Sequence, residues 1–135
     1  MASIFTKIIQ GEIPCEKIAE TDLEIAFLDI NPCSHGHTLC IPKREVARLE
    51  ELPAGEATSL MSFMQRVATA VSRAFDGIDY NLTLNNGVNA GQEVLHVHFH
   101  VIPRKPGSPR PFKSREPYGE GEMAVVGERI RACLD

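Results

Sequence analysis

The sequence predicts one domain that mixes helices with short strands, and three observations predict it. Apolar residues recur at three and four over 53–75, they alternate with other residues over 80–84 and 95–102, and turn formers separate the runs. The length of 135 residues lies at the commonest size for one compact domain. No internal repeat or linker divides the chain, so the domain is expected to span 1–135.

The elements follow in order. Ser3 to Gln10 carries Ile4, Phe5, Ile8 and Ile9 at helical spacing, with Ser3 placed to cap a short helix and Gly11 to stop it. Glu24 to Asp29 and Thr38 to Ile41 are brief apolar runs on either side of NPCSHGH, whose Asn31, Pro32 and Gly36 are turn formers. They are expected to be neighbouring strands. Leu60, Met64, Val67, Val71 and Ala74 or Phe75 mark the main helix, and Gly77 follows its last turn. Tyr80 to Leu84 and Leu95 to Ile102 are two more strands, joined by NNGVNAGQEV. PRKPGSPRPFKSREP is a basic, proline-rich loop, and Met123, Val126, Ile130 and Cys133 or Leu134 mark a final helix.

A net charge of −4 excludes a surface built to neutralise many phosphates, so no nucleic-acid partner is expected; a small anionic ligand held by local groups is still open. Cys15, Cys33, Cys40 and Cys133 form no CxxC pair and read as free thiols in a reducing compartment. The opening MASIFTKIIQGEIP has neither a long apolar core nor a small-residue cleavage site, and no run approaches the roughly 18–20 apolar residues that span a bilayer. A soluble, cytoplasmic protein without a membrane partner is expected.

In LHVHFHVIP, His96, His98 and His100 fall on one face of a strand and Val97, Phe99 and Val101 on the other. Burial of the apolar face fixes the register, because a slip of one residue would exchange the two faces. Such histidines can be structural, can hold a metal, or can do chemistry. Residues two apart on a strand lie roughly 6.5–7 Å apart, so His96 and His100 are about 13 Å apart, too far to bind one ion with bonds of about 2 Å. Neutral imidazole is also a nucleophile that needs no strong base near pH 7. Just upstream, Gly87, Ala90 and Gly91 let backbone N–H groups approach an anion, and Asn85 and Gln92 add amide donors. This loop lacks GK[ST] and leads into a strand, so it is not a P-loop.

The run HVHFHVI, His96 to Ile102, resembles the HxHxHxx signature of the histidine triad family, in its Hint-like, bacterial-type branch. The segments IFTKIIQGEIP, AFLDINP, GHTLCIPK and NNGVNAGQEVLHVHFHVIPR are similar to family segments, in the same order. The resemblance implies an α+β fold: a five-stranded antiparallel sheet with one long central helix, a short N-terminal helix and a C-terminal helix, assembled as a homodimer. It implies that His98 is the nucleophile of a covalent nucleotidyl-histidine, that His96 and His100 support it, and that His37 completes a hydrogen-bonded relay. It places Asn85, Gly91 and Gln92 at the α-phosphate, Asp29 at the ribose hydroxyls, and Phe5, Ile8, Ile13, Ile30 and Leu39 around the base.

The expected activity is hydrolysis of purine nucleoside phosphoramidates, adenylylated compounds or dinucleoside polyphosphates, with release of AMP or GMP and no cofactor. Related transferases carry Gln where His100 stands, which favours hydrolysis over nucleotidyl transfer. A nucleotide-binding scaffold and a metal-binding protein are the readings from other classes. His35 is expected to be a solvent-facing turn residue. Glu93 stands where better-known eukaryotic relatives have a hydroxyl near the leaving group. Some bacterial relatives hold a structural zinc at places occupied here by Ser3, Thr6 and Glu45, so no metal is expected. Arg104, Lys105, Arg110, Lys113 and Arg115 follow the histidine strand without an acidic residue among them. They form either a solvated loop or a basic arm, with Arg104, Lys105 and Arg110 expected to meet distal phosphates.

Overall fold

The computed structural model describes residues 2–108 and 115–135. Five antiparallel strands, β1 (Lys17–Glu20), β2 (Glu24–Leu28), β3 (Thr38–Pro42), β4 (Asp79–Leu84) and β5 (Phe99–Arg104), form one sheet in the order β1-β2-β3-β5-β4. Three α-helices accompany it: α1 (Ile4–Ile9), α2 (Ala54–Ala74) and α3 (Glu122–Arg131). The expected α+β class and the five-stranded sheet are both present.

Helix α2 buries Leu60, Phe63, Met64, Val67, Val71 and Ala74, the stripe that its periodicity marks, against Ala26, Leu28, Cys40 and Val101. Helix α3 adds Ile130 to the same cluster. On the opposite face of the sheet, α1 presents Phe5 to Ile25, Phe27, Leu39 and Ile41. Strands β2 and β3 are therefore buried on both faces, which is why they read as continuous apolar runs rather than alternating ones. At the end of α2 the chain turns out through Asp76 and Gly77, both at positive φ, with the Gly77 N–H returning to the Ser72 carbonyl at 2.9 Å.

Two expectations shift. Strand β1 is absent from the residue-by-residue reading because KIAE buries only Ile18 and is too short to show a period. Strand β5 begins at Phe99, not Leu95, and runs to Arg104. Its partner β3 pairs Cys40 with Phe99, and extending that register would set Pro42 opposite Val97. Proline has no N–H to continue the ladder. The Val97 N–H instead donates to the Val46 carbonyl at 2.9 Å, and the His96 N–H to Val94. No helix among the described residues is long and apolar enough to cross a membrane.

Candidate active site

The histidine face survives the loss of ladder bonds. The Phe5 ring packs edge-on against His98 at 4.9 Å and His96 at 5.9 Å between centroids, and His98 and His100 lie 5.1 Å apart. His96 is fully buried and His98 nearly so. A cavity of about 420 Å³ opens beside them, lined by Asp29, Asn31, Cys33, His37, Thr83, Asn85, Gly91, Glu93, His98, His100, Ile102 and Arg115. That size is ordinary for a small-molecule site. A second cavity, of about 570 Å³, lies at the far end of β4 and β5 and has no histidine in its wall.

The hydrogen bonds fix which nitrogen of each ring carries the proton, because backbone groups have one role only. The Cys33 N–H donates to His37 Nδ1 at 3.0 Å, so the neutral His37 ring carries its proton at Nε2. That Nε2–H donates to His100 Nδ1 at 2.9 Å, which leaves the proton of neutral His100 on Nε2. His98 donates through Nδ1 to the His96 carbonyl at 2.7 Å, and among the described residues its Nε2 lone pair has no partner. His96 donates through Nε2 to the Pro42 carbonyl at 2.8 Å, and its Nδ1 accepts from Ser3 Oγ at 2.7 Å. Among the described residues the site thus holds an imidazole nitrogen with its lone pair unshared on one ring and an N–H donor on the next.

Burial, more than any neighbour, depresses all four imidazoles: His37 to about 3 and His100 to about 4, with His96 and His98 also lowered. Burial also raises the Asp29 carboxyl, against the Asn31 N–H that it accepts at 2.8 Å. These shifts set a pH dependence of stability. An unfolded histidine takes up a proton near pH 6.5, whereas folded His37 and His100 refuse it until about 3 and about 4, respectively. Their contribution is therefore complete above pH 6.5 and declines as the pH falls from there toward 4 and 3. Denaturation midpoints measured from pH 7 to 4 are expected to fall; a flat profile would contradict the buried neutral pair.

Of the residues expected at the phosphate, Asn85 and Gly91 line the cavity, and Gly91 adopts φ +95°. Gln92 is absent from the wall. Its side chain donates to the Ala47 and Val94 carbonyls and accepts from the Gly87 N–H at 2.7 Å, so it shapes the loop from behind. Asp29 lies at the cavity, with Oδ2 3.6 Å from His37 Nε2. Of the five apolar residues expected around the base, Phe5 and Leu39 are buried and Ile8 partly so, in the cluster under α1. Ile13 is half-buried, and Ile30 is 74% exposed. His35 is corrected: its ring stacks on Tyr118 at 4.4 Å and its backbone N–H donates to Glu116.

The basic stretch after the histidine strand divides between two places, with Arg115 in the wall of the histidine cavity. Arg104 and Lys105 line the second cavity, and Lys105 pairs with Glu116 at 2.9 Å; Arg110 and Lys113 lie outside the described residues. Thr83 escaped the sequence reading, although its place opposite His100 follows from the alternation of β4. Glu93 faces the cavity.

Two groups bear on metal binding. Ser3, Thr6 and Glu45 converge beside His96, with the Ser3 N–H and Thr6 Oγ1 both donating to Glu45 Oε1, at 2.7 and 2.5 Å. Two hydroxyls and one carboxylate, already satisfied by each other and by His96, do not make the thiolate and imidazole set of a structural zinc. Among the described residues Asp29, His37 and His100 bring three potential ligand atoms within 4.8 Å of one another. Two of those rings are bonded to each other, and an ion would have to break that bond.

A buried row of imidazoles with opposite tautomers, on a mixed fold of this topology, defines the class. The chain belongs to the HIT domain family, which matches residues 10–107. It is 45% identical to a HIT-like protein of Methanocaldococcus jannaschii over 133 residues, covering 98% of this chain and 92% of that one. It is 43% identical to the adenosine 5′-monophosphoramidase of Schizosaccharomyces pombe over 145 residues, covering 99% of each. The crystal structure of a Zn-bound histidine triad family protein from Mycobacterium smegmatis matches with a TM-score of 0.86 at 32% identity, covering 99% of this chain and 94% of that one.

Proposed function

We propose that this chain, as one domain, is a nucleotide hydrolase. It cleaves at the α-phosphorus of purine nucleoside phosphoramidates, adenylylated compounds or dinucleoside polyphosphates and releases AMP or GMP. The observation that carries the reading is the tautomer pattern: His98 Nε2 is bare while His100 holds its proton on Nε2. The 43% identity to a fission-yeast adenosine 5′-monophosphoramidase supports the substrate class.

The lone pair of His98 Nε2 forms the N–P bond as the bond from phosphorus to the leaving group breaks, and the bonding pair goes with the leaving group. A departing nitrogen takes its proton through His100 Nε2. Water then attacks the phosphorus and the N–P bonding pair returns to His98; the proton that water sheds restores the one lost to an amine, or, where an oxoacid has left without one, passes to solvent with the nucleoside monophosphate. His96 supports the nucleophile through its carbonyl, and His37 holds His100 in the donating tautomer. In this reading Asn85 and the backbone at Gly91 hold phosphoryl oxygens and Asp29 holds the ribose, which their positions in the cavity wall support. Phe5, Ile8, Ile13, Ile30 and Leu39 supply apolar surface toward the base.

The protein works in the cytoplasm without metal or other cofactor, as a homodimer. The edge strand β4 exposes Tyr80 and Leu82 by about 40% each on the α2 side, an apolar edge suited to a second copy. A solution mass of one chain at micromolar concentration would reject the dimer. The defining experiment is a turnover screen of adenosine 5′-phosphoramidate, adenylyl sulfate and diadenosine polyphosphates with protein dialysed against EDTA. Nucleoside monophosphate release at an unchanged rate is expected. Activity lost to EDTA and restored by metal, or no release from any substrate, would overturn the proposal.

A further inference from the structure

Residues 116–118, beyond the stretch that the HIT domain family matches, are stitched to the turn at 32–37. The Glu116 N–H donates to the Pro32 carbonyl, the His35 N–H to Glu116 Oε1 and the Gly36 N–H to Tyr118 Oη, each at 2.9 Å. The Tyr118 ring stacks on His35. The stitch delivers the preceding residue, Arg115, to the wall of the histidine cavity, where its Nη1 donates to Cys33 Sγ at 3.1 Å.

Charge makes that placement consequential. Among the described residues the cavity wall holds two carboxylates, Asp29 and Glu93, and one permanent cation, Arg115, while the histidines in it are neutral near pH 7. A substrate that brings further negative charge meets both carboxylates, and Arg115 is the group in the wall that opposes them. From its place in that wall its charge reaches His37 and His100 as well as Asp29, so it lies within electrostatic range of the group that leaves beside His100. An amine leaving group needs a proton there. A sulfate or phosphate leaves as a stable anion with the bonding pair, and what it needs is a cation. A guanidinium fork fits two oxygens of such an oxoanion.

We propose that Arg115 is the specificity-determining residue that binds the anionic oxygens of an oxoacid leaving group, sulfate or phosphate, beyond the scissile bond. The proposal rests on the nucleotide hydrolase reading above. Arg115→Gln and Arg115→Lys, at a largely exposed position, are compared with wild type on adenylyl sulfate, diadenosine tetraphosphate and adenosine 5′-phosphoramidate. For Arg115→Gln, kcat/KM on the two anionic leaving groups is expected to fall about 30-fold or more, the worth of a charge-assisted hydrogen bond to an oxyanion, with partial recovery in Arg115→Lys. The phosphoramidate should change by less than about threefold. A loss with only one of the two anions supports the proposal and names its source. Equal losses on all three substrates, or none on any, overturn it.

If wild type turns over none of the three, the hydrolase reading fails and titration calorimetry still judges Arg115. Arg115→Gln should then bind adenylyl sulfate at least about tenfold more weakly with AMP affinity unchanged, and parallel changes for both ligands would overturn the assignment.

Discussion

His98→Asn is expected to lower turnover by at least about a thousandfold while leaving AMP affinity within about threefold of wild type. The substitution removes the bare Nε2 lone pair and little else. The His96 carbonyl that orients the ring is backbone, Phe5 stays buried against Phe27, and the loop at 85–92 is held by Gln92 rather than by His98. Intact-mass measurement after mixing with substrate should find a nucleotidyl adduct on wild type and none on the variant. Turnover within tenfold of wild type would sink the mechanism.

His100→Gln separates the two kinds of leaving group. Glutamine can still donate a hydrogen bond but cannot pass a proton, so release of an amine should slow by roughly 10²–10⁴-fold, the usual worth of a positioned acid or base. A sulfate or phosphate, which departs without a proton, should be formed in the first step at a rate closer to wild type. With the phosphoramidate the second step has also lost the group that takes the proton of water, so the covalent adduct should persist. Rapid-quench measurement of the burst with adenosine 5′-phosphoramidate and with adenylyl sulfate reads both effects. Equal slowing of the two bursts would show that His100 acts only by position.

Much of this was legible from residue order. The three-and-four spacing of Leu60, Met64, Val67 and Val71 located α2 to within a residue at each end, because one buried stripe against a sheet imposes that period. Ser3 declared itself as the cap of α1, and its hydroxyl does accept the Thr6 N–H. The alternation of His96, His98 and His100 anticipated that the three rings gather on one side, with His98 and His100 at a cavity, even though only His100 of the three lies within β5. Where the ladder stops could not be read from that alternation, because it depends on Pro42, 56 positions before His98 and adjacent only once the sheet has formed. Gln92 likewise carries donors that suit a phosphate, but whether they face a ligand or a carbonyl depends on Ala47 across the fold. Arg115 differs from Arg104 and Lys105 in nothing local. The pairing of Glu116 with Pro32 and His35, distant in sequence, sets Arg115 in the wall of the histidine cavity.

The bond from the Cys33 N–H to His37 Nδ1 has a consequence for the traffic of protons. A peptide amide neither gives up its proton nor takes another, so the row from Cys33 through His37 to His100 is closed at its inner end. Every donor in the row points outward, and the His37–His100 pair has room for two protons and no third without loss of the amide bond. The pair therefore cannot conduct protons between the cavity and bulk solvent through the protein interior. In the proposed cycle the proton that leaves with the amine and the proton shed by the attacking water balance within one turnover. The enzyme ends each round in the protonation state in which it began, and its rate is insulated from the proton concentration outside for as long as the buried pair stays neutral.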